Sequence, residues 1–103
     1  MTRMEQLREM LQAEPDDAFL NYALALELDK NEQHDESLVL FEKLTEFDPP
    51  YVPAFFMAGQ MLSRLDRNDE AKNFLTQGIQ EAQKQGNSHA AAEMTEYLGM
   101  IGD

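Results

Sequence analysis

Leu24-Ala25-x-x-Leu28, followed by Asp35-Glu36-Ser37-x-x-x-Phe41 and then Pro49, is the stretch that decides the fold. The same frame returns 34 residues later as Ala58-Gly59-x-x-Leu62 and then Asp69-Glu70-Ala71-x-x-x-Leu75. Extended backwards, the frame is matched by Leu7, Met10 and Pro15, whereas Arg3 departs from it. Self-similarity at a fixed period of about 34 residues is the sequence sign of a helical repeat.

Length and composition predict one small, all-α domain over residues 1–103. The chain has 103 residues, 43% of them hydrophobic, with 5 Gly and 4 Pro, which suits a folded protein with a single core. It contains no apolar run of about 18 residues, so no membrane span is expected. It also lacks cysteine, which excludes disulfides and thiolate metal sites. The first residues enter an amphipathic pattern without an export signal, so we expect a cytoplasmic protein.

The charge is strongly acidic, with 20 Asp and Glu against 8 Lys and Arg and a formal net charge of −12. Such a field repels phosphates and anionic lipid, so nucleic acid and membrane are poor candidates for partners. Three interpretations stay open. The acidity keeps a small protein soluble, adapts it to high salt, or complements a basic partner. It exceeds what solubility alone needs, and we favour the first two together.

Apolar periodicity predicts six helices joined by short connections, which favours antiparallel neighbours. The predicted ranges are 2–13, 17–30, 35–47, 52–65, 68–85 and 88–100. Helices two and four are apolar on nearly all sides, so both should be covered on more than one face. Their inner stripes are assigned to Phe19, Leu24, Phe55, Ala58 and Leu62.

Proline and capping residues mark the helix ends. Pro15 ends the first helix, Asp48-Pro49-Pro50 stops the third, and Pro53 opens the fourth. Asn68 is the predicted N-cap of helix five, and Asn87 or Ser88 that of helix six.

These residues resemble the tetratricopeptide repeat, whose pattern is W-x-x-L-G-x-x-Y, then A-x-x-x-F, then P. In the first full repeat the matching residues are Leu24, Ala25, Leu28, Ser37, Phe41 and Pro49. In the second they are Phe55, Ala58, Gly59, Leu62, Ala71 and Leu75. The resemblance covers roughly residues 3 to 83. It implies an α-α superhelix with a half repeat at 1–15, full repeats at 16–49 and 50–83, and a capping helix at 87–101.

Three positions depart from the family pattern. Asn21 stands where the family has a bulky first residue, and Gly78 is expected to weaken the middle of helix five. Gln83 replaces the second repeat's proline, which predicts that helix five continues past the usual end.

The resemblance implies a scaffold that holds a peptide or protein segment on its concave face, lined by the first helix of each pair. The residues that fall there by repeat phase are Tyr22, Leu26, Lys30, Phe56, Met57, Gln60 and Arg64. Tyr22, Phe56 and Met57 are the favoured contacts, because aromatic and methionine side chains give adaptable apolar contact area. Leu26 is better explained as packing between helices. Lys30 and Arg64 either steady an acidic group or, more simply, balance nearby carboxylates.

Two other functions are not expected. The carboxylate clamp of some family members is missing, since its positions hold Tyr22, Leu26, Met57 and Ala91. No catalytic, cofactor or metal motif is present, and His34 and His89 have no third partner at useful spacing. We therefore predict no enzyme activity and no cofactor.

Structural self-association is the competing hypothesis. A short array has end faces that need polar capping or burial. A homodimer would then form through Met4, Leu7 and Leu11 at one end, or through Tyr22, Phe56 and Met57. The sequence also fits one segment of a longer repeat array.

Overall fold

The computed structural model describes residues 1–102, and within them the regular structure consists of six α-helices without a strand. They are α1 Arg3–Ala13, α2 Ala18–Lys30, α3 His34–Thr45, α4 Val52–Arg64, α5 Asn68–Lys84 and α6 Ser88–Met100. The predicted all-α fold class is confirmed. The chain divides into two compact units, the first ending at Tyr51 and the second beginning at Val52. The predicted repeat boundaries stay a prediction.

In the first unit, α1 and α3 both pack on α2. Its core contains Leu7, Ala23, Leu24 and Leu28, flanked by Met4, Leu11, Leu20 and Leu40. The start of α1 meets the end of α2 through Arg3 and Glu27, with Nε and Oε2 3.9 Å apart. The Ser37 hydroxyl, fully buried, donates to the carbonyl oxygen of Ala25 at 2.7 Å and joins α3 to α2. The small residues Ser37 and Ala25 of the repeat pattern thus lie where α3 touches α2.

In the second unit, α5 lies between α4 and α6. The core contains Val52, Phe55, Leu75, Ala82, Ala91 and Met94. Two glycines set the helix spacing. A Cβ atom at Gly59 would lie 2.7 Å from Leu75 Cγ, and one at Gly78 would lie 2.5 Å from Phe55 Cβ and 2.6 Å from Met94 Sδ. Gly78 therefore leaves no room for a side chain between α5 and the facing residues of α4 and α6.

Side-chain caps start three of the helices. Thr2 and Glu5 form a capping box on α1, each side chain bonded to the other's backbone N–H at 3.1 Å. Asp17 Oδ1 accepts from Leu20 N at 2.8 Å, and Asn87 Oδ1 accepts from Ala90 N at 3.1 Å. Asn87 is thus confirmed as the cap of α6.

The predicted cap at Asn68 is wrong, because Arg67 occupies the N-cap position and Asn68 is the first helical residue. The reason is the turn before it. Asp66 adopts a left-handed backbone (φ 61°), and the N–H groups of Asp66 and Arg67 bond to the carbonyls of Ser63 (3.1 Å) and Leu62 (2.8 Å). This pair of bonds is a Schellman motif, which closes α4 and starts α5 one residue earlier.

Within residues 1–102 the same turn occurs three times. Glu32 (φ 62°) closes α2 and Gly86 (φ 74°) closes α5 with the same two backbone bonds. Glu32 and Asp66 are 34 residues apart, so the turn keeps the repeat period. Glycine is the usual residue in this conformation, and only the third turn has one.

Asn21 replaces a bulky residue by making polar contacts inside the first unit. It is 2% exposed. Its Nδ2 donates to the carbonyl oxygens of Pro15 (3.0 Å) and Asp17 (2.8 Å), and Lys43 Nζ lies 3.4 Å from its Oδ1. The amide therefore ties the connection between α1 and α2 to the start of α2.

Three further predictions, on Phe19 and on the ends of helices three and five, can be compared with the structure. Phe19 was assigned to an inner stripe, and this is wrong, because it is 64% exposed on the first turn of α2. Helix three ends at Thr45, two residues earlier than predicted, where the Thr45 hydroxyl donates to the carbonyl of Glu42 at 2.6 Å. Helix five does run long, with 17 residues, as Gln83 predicted.

Candidate partner-binding surfaces

The first unit carries three of the predicted site residues on α2. Tyr22, Leu26 and Lys30 are spaced four apart, so they form one row along the helix. We call them the α2 row. Tyr22 and Leu26 are partly buried, whereas Lys30 is exposed in the last turn. A cation in that position also interacts favourably with the carbonyl end of the helix.

Tyr22 is held in place by two other rings. Its ring centroid lies 5.3 Å from that of Tyr51 and 6.4 Å from that of Phe41, both at tilted angles. Burial raises the pKa of the Tyr22 hydroxyl, and the neighbouring Tyr51 adds to the effect. Tyr22 is therefore a fixed aromatic surface with its hydroxyl kept neutral over the physiological range.

The second unit carries the other four predicted site residues on α4. Phe56, Gln60 and Arg64 repeat the spacing of four, and Met57 follows Phe56. We call Phe56, Met57, Gln60 and Arg64 the α4 row. Its first three residues are partly buried, and Arg64 is exposed in the last turn. The Phe56 ring meets Tyr97 of α6 edge-on, with centroids 5.7 Å apart. Phe56 is therefore part of the packing between α4 and α6 as well as part of the surface.

Sequence analysis missed the ring partners Tyr51 and Tyr97. Tyr51 lies in the connection between α3 and α4, and Tyr97 lies on α6. The signal that could have found Tyr97 is its spacing of three from the buried Met94.

A second contact that sequence analysis missed joins His34 to Asp29. His34 Nδ1 lies 3.1 Å from Asp29 Oδ1, across the turn between α2 and α3, and both side chains are mostly buried. A spacing of five along the chain gave no helical signal. The Schellman turn brings the two side chains together, so the pair connects successive helices.

Among residues 1–102, the structure has neither a cluster of metal ligands nor a membrane-spanning helix. No three His, Asp or Glu side chains of this range are grouped so that they could hold a metal ion. None of the helices described is long and apolar enough to span a bilayer.

A family model described as tetratricopeptide repeat matches residues 52–85, which hold α4 and α5. No curated protein matches the chain.

Solved structures give matches over most of the chain. The solution NMR structure of a tetratricopeptide repeat domain protein from Salinibacter ruber is 38% identical, with a TM-score of 0.75, over 82% of this chain and 85% of that one. A crystal structure of a tetratricopeptide repeat domain protein from the same organism is 37% identical, with a TM-score of 0.71, over 81% of this chain and 92% of that one. A Bordetella parapertussis protein is 25% identical, with a TM-score of 0.81, over 98% of this chain and 88% of that one.

Three observations point to the same family. They are the 34-residue frame, the paired helices with small residues at their contacts, and the 38% identity over most of both chains. The chain belongs to the tetratricopeptide repeat family.

Proposed function

We propose that the protein is an interaction scaffold that binds a peptide or protein segment through the α2 row and the α4 row. One observation carries the proposal. Both rows place a partly exposed aromatic ring at the start and a cation eight residues later, at positions 34 apart in the repeat. The family resemblance implies that these positions belong to the concave face. Proteins of this fold generally act as interaction scaffolds and are typically not enzymes.

The chemistry of each row indicates what kind of segment would bind. The ring and the neighbouring Leu26 or Met57 give apolar area, and Lys30 or Arg64 gives a positive charge. A segment with an apolar side chain followed by a carboxylate would match this order, because ring contacts and charge-assisted hydrogen bonds would form together.

The experiment is selection from a displayed library of random dodecapeptides, followed by binding of the selected peptides to variants. We expect Leu26→Ser and Met57→Ser each to weaken binding at least about tenfold, which is about 1.4 kcal/mol. Phe56 is left unchanged, because its contact with Tyr97 would confuse binding with folding. Val39→Ser is the matched control, since Val39 is an exposed apolar residue on α3.

Two results would contradict the proposal. Selected peptides that bind both serine variants as well as the wild type would exclude the rows. Peptides weakened equally by Val39→Ser would show a general effect of surface apolarity.

Self-association is the second candidate, and the structure changes the surface on which it would act. Met4, Leu7 and Leu11 were offered as an exposed end, and this is wrong, because Leu7 is 3% exposed and the other two pack against the same core. A homodimer would therefore use Tyr22, Phe56 and Met57. Molar mass by light scattering separates the candidates, since a dimer split by Met57→Ser would favour self-association. We also propose that the protein is cytoplasmic.

A further inference from the structure

An apolar hollow on the first unit lies apart from the α2 row. Met10 is 51% exposed and Phe19 is 64% exposed, and both line a hollow of about 400 Å³ with Ala13 and Leu20. Two large apolar side chains open to solvent at one place are unusual on a protein as charged as this one.

The repeat frame explains why Met10 is exposed. Its equivalents one and two periods later are Leu44 and Gly78, and both are buried. Leu7, by contrast, is buried like its equivalents Phe41 and Leu75. The face of α1 that holds Leu7 is therefore buried against α2. The face that holds Met10 stays open, whereas the equivalent positions in the later repeats are covered.

Helix α6, by contrast, has polar residues at positions that are buried in the preceding repeat. Glu93 and Glu96 of α6 stand where the preceding repeat has the buried Gly59 and Leu62. Polar residues at such positions are how a repeat array closes against water. The position of Met10 has no such polar residue. The hollow is therefore an apolar surface of the kind that packs against another helix.

Acidic side chains surround the hollow. Glu14 and Asp17 line it, and Glu9 lies beside Met10 on α1. No lysine or arginine lines the hollow, and the Nζ of Lys43 is bonded to the carbonyl oxygen of Pro15 at 3.0 Å, on the connection between α1 and α2. A second copy of the chain would bring a further formal charge of −12 to this rim. Charge therefore disfavours self-association here and favours a cationic partner.

We propose that this hollow is a docking site for a basic amphipathic helix, which inserts one or two large apolar side chains and places Lys or Arg against the rim. The contact is short. Arg3 and Gln6 make the beginning of the same α1 face polar, so the apolar area covers only the second half of α1 and the first turn of α2.

The test uses two synthetic peptides of about 18 residues, long enough to form a helix. Both have the same leucine row, and one has lysine flanks where the other has glutamate. Isothermal titration should show the lysine peptide binding at least tenfold more tightly than the glutamate peptide, with weaker binding at higher salt.

Variants separate docking from general attraction to an acidic protein. The double variant Met10→Gln/Phe19→Gln keeps the net charge, and both side chains are exposed, so the fold should persist by circular dichroism. We expect it to bind the lysine peptide at least tenfold more weakly. Val39→Gln is the matched control and should bind like the wild type.

Three outcomes would overturn the inference. The double variant binding as tightly as the wild type would exclude the hollow. Equal binding of both peptides would exclude the role of the rim. A wild-type dimer that the double variant converts to a monomer would assign the hollow to a second copy.

Discussion

Asn21 is one of three positions at which this chain departs from its family pattern. It stands at a position that the family fills with a bulky ring, yet it is buried, and its amide holds two backbone carbonyls. Hydrogen bonds thus replace packing volume at this point. The pattern could show that the position was unusual, but not what would fill it, because the carbonyls come from a connection whose path the repeat frame does not determine.

The Asn21→Asp variant tests this role without changing shape. A carboxylate can only accept, so it would face two carbonyl oxygens in a buried place, and we expect the free energy of unfolding to fall by about 2 kcal/mol at neutral pH. Burial should raise the pKa of the new carboxyl above its unfolded value, so the folded state holds the proton more tightly. The loss should therefore shrink as pH falls. Urea unfolding at several pH values measures it.

Asn31→Asp is the matched control. Asn31 Nδ2 also donates to a backbone carbonyl, that of Glu27 at 2.7 Å, but the residue is exposed. Water can replace its bond, so its cost should stay within about 0.5 kcal/mol. Equal losses for both variants would show that burial of Asn21 is not what matters.

Tyr22 gives a second prediction at this scale. Because its pKa is raised by burial and by Tyr51, its ionisation in the folded protein should occur above the usual range of a tyrosine. The folded state binds this proton more tightly than the unfolded state, so stability should be lost as pH rises from the unfolded pKa through the folded one. Tyr22→Phe should remove the tyrosinate absorbance that appears above that range. An unchanged titration there would contradict the assignment.

At the scale of helices, Gly78 has the opposite role to the one that propensity predicts. Glycine weakens a helix interior, but here it lets Phe55 and Met94 approach the α5 backbone. We expect Gly78→Ala to lower the free energy of unfolding by about 1–3 kcal/mol through overpacking. Gly99→Ala is the control, because a methyl there meets nothing and should be neutral or slightly stabilising. A stabilised Gly78→Ala protein would mean that the helices can separate at little cost.

The three Schellman turns make a pair of opposite predictions. Gly86→Ala should destabilise the protein by about 1 kcal/mol, because alanine disfavours the left-handed backbone and no neighbouring atom lies close. Glu32→Gly should stabilise it by about 0.5 kcal/mol, since it relieves the same strain and removes an acid from a helix C-terminus. Thermal unfolding of both variants in one buffer measures the two signs. Equal signs would contradict the turn assignment.

Helix existence was predictable from periodicity, while helix ends were predictable only where a local signal acts alone. Asn87 caps α6 as predicted, because it precedes its helix after a break. Asn68 does not, since the preceding turn already uses Arg67 as the cap. Phe19 was misplaced for a related reason. Its hydrophobicity matched a buried stripe, but its place on the first turn of α2 leaves it without a helix to cover it.

For the whole molecule, the net charge of −12 predicts a salt-dependent stability. Screening should reduce self-repulsion, because the Debye length falls from about 10 Å at 0.1 M salt to about 3 Å at 1 M. We expect the Tm to rise by about 5 °C between about 0.05 and 1 M potassium chloride, which corresponds to about 1 kcal/mol for a chain of this size. Differential scanning calorimetry measures the rise.

A charge-reduced variant is the control for this experiment. Glu9→Gln/Glu42→Gln/Glu46→Gln/Asp48→Asn changes four exposed carboxylates and should show a smaller salt response. An equal response would mean that salt acts through apolar burial rather than through charge. A chain that folds only in high salt would support adaptation to that environment.

The candidate binding residues were predicted in part. Repeat phase chose Tyr22 and Phe56, and both lie partly exposed at equivalent places. It could not find the hollow at Met10, because the phase marks that position as one to be buried. Whether a position is covered depends on which helices are present, and a frame read from the sequence does not contain that information.

The turns at Glu32 and Asp66 have a consequence for how this protein can change. Both hold an acidic residue in a backbone conformation that glycine adopts at little cost, so each keeps the molecule below the stability its architecture allows. That reserve lies in the connections that directly follow the α2 row and the α4 row. Replacing both residues with glycine would raise the stability of the protein. A redesigned binding surface could then include destabilising substitutions, which new specificities usually require. Selection for a different partner would therefore have room to act before the fold failed.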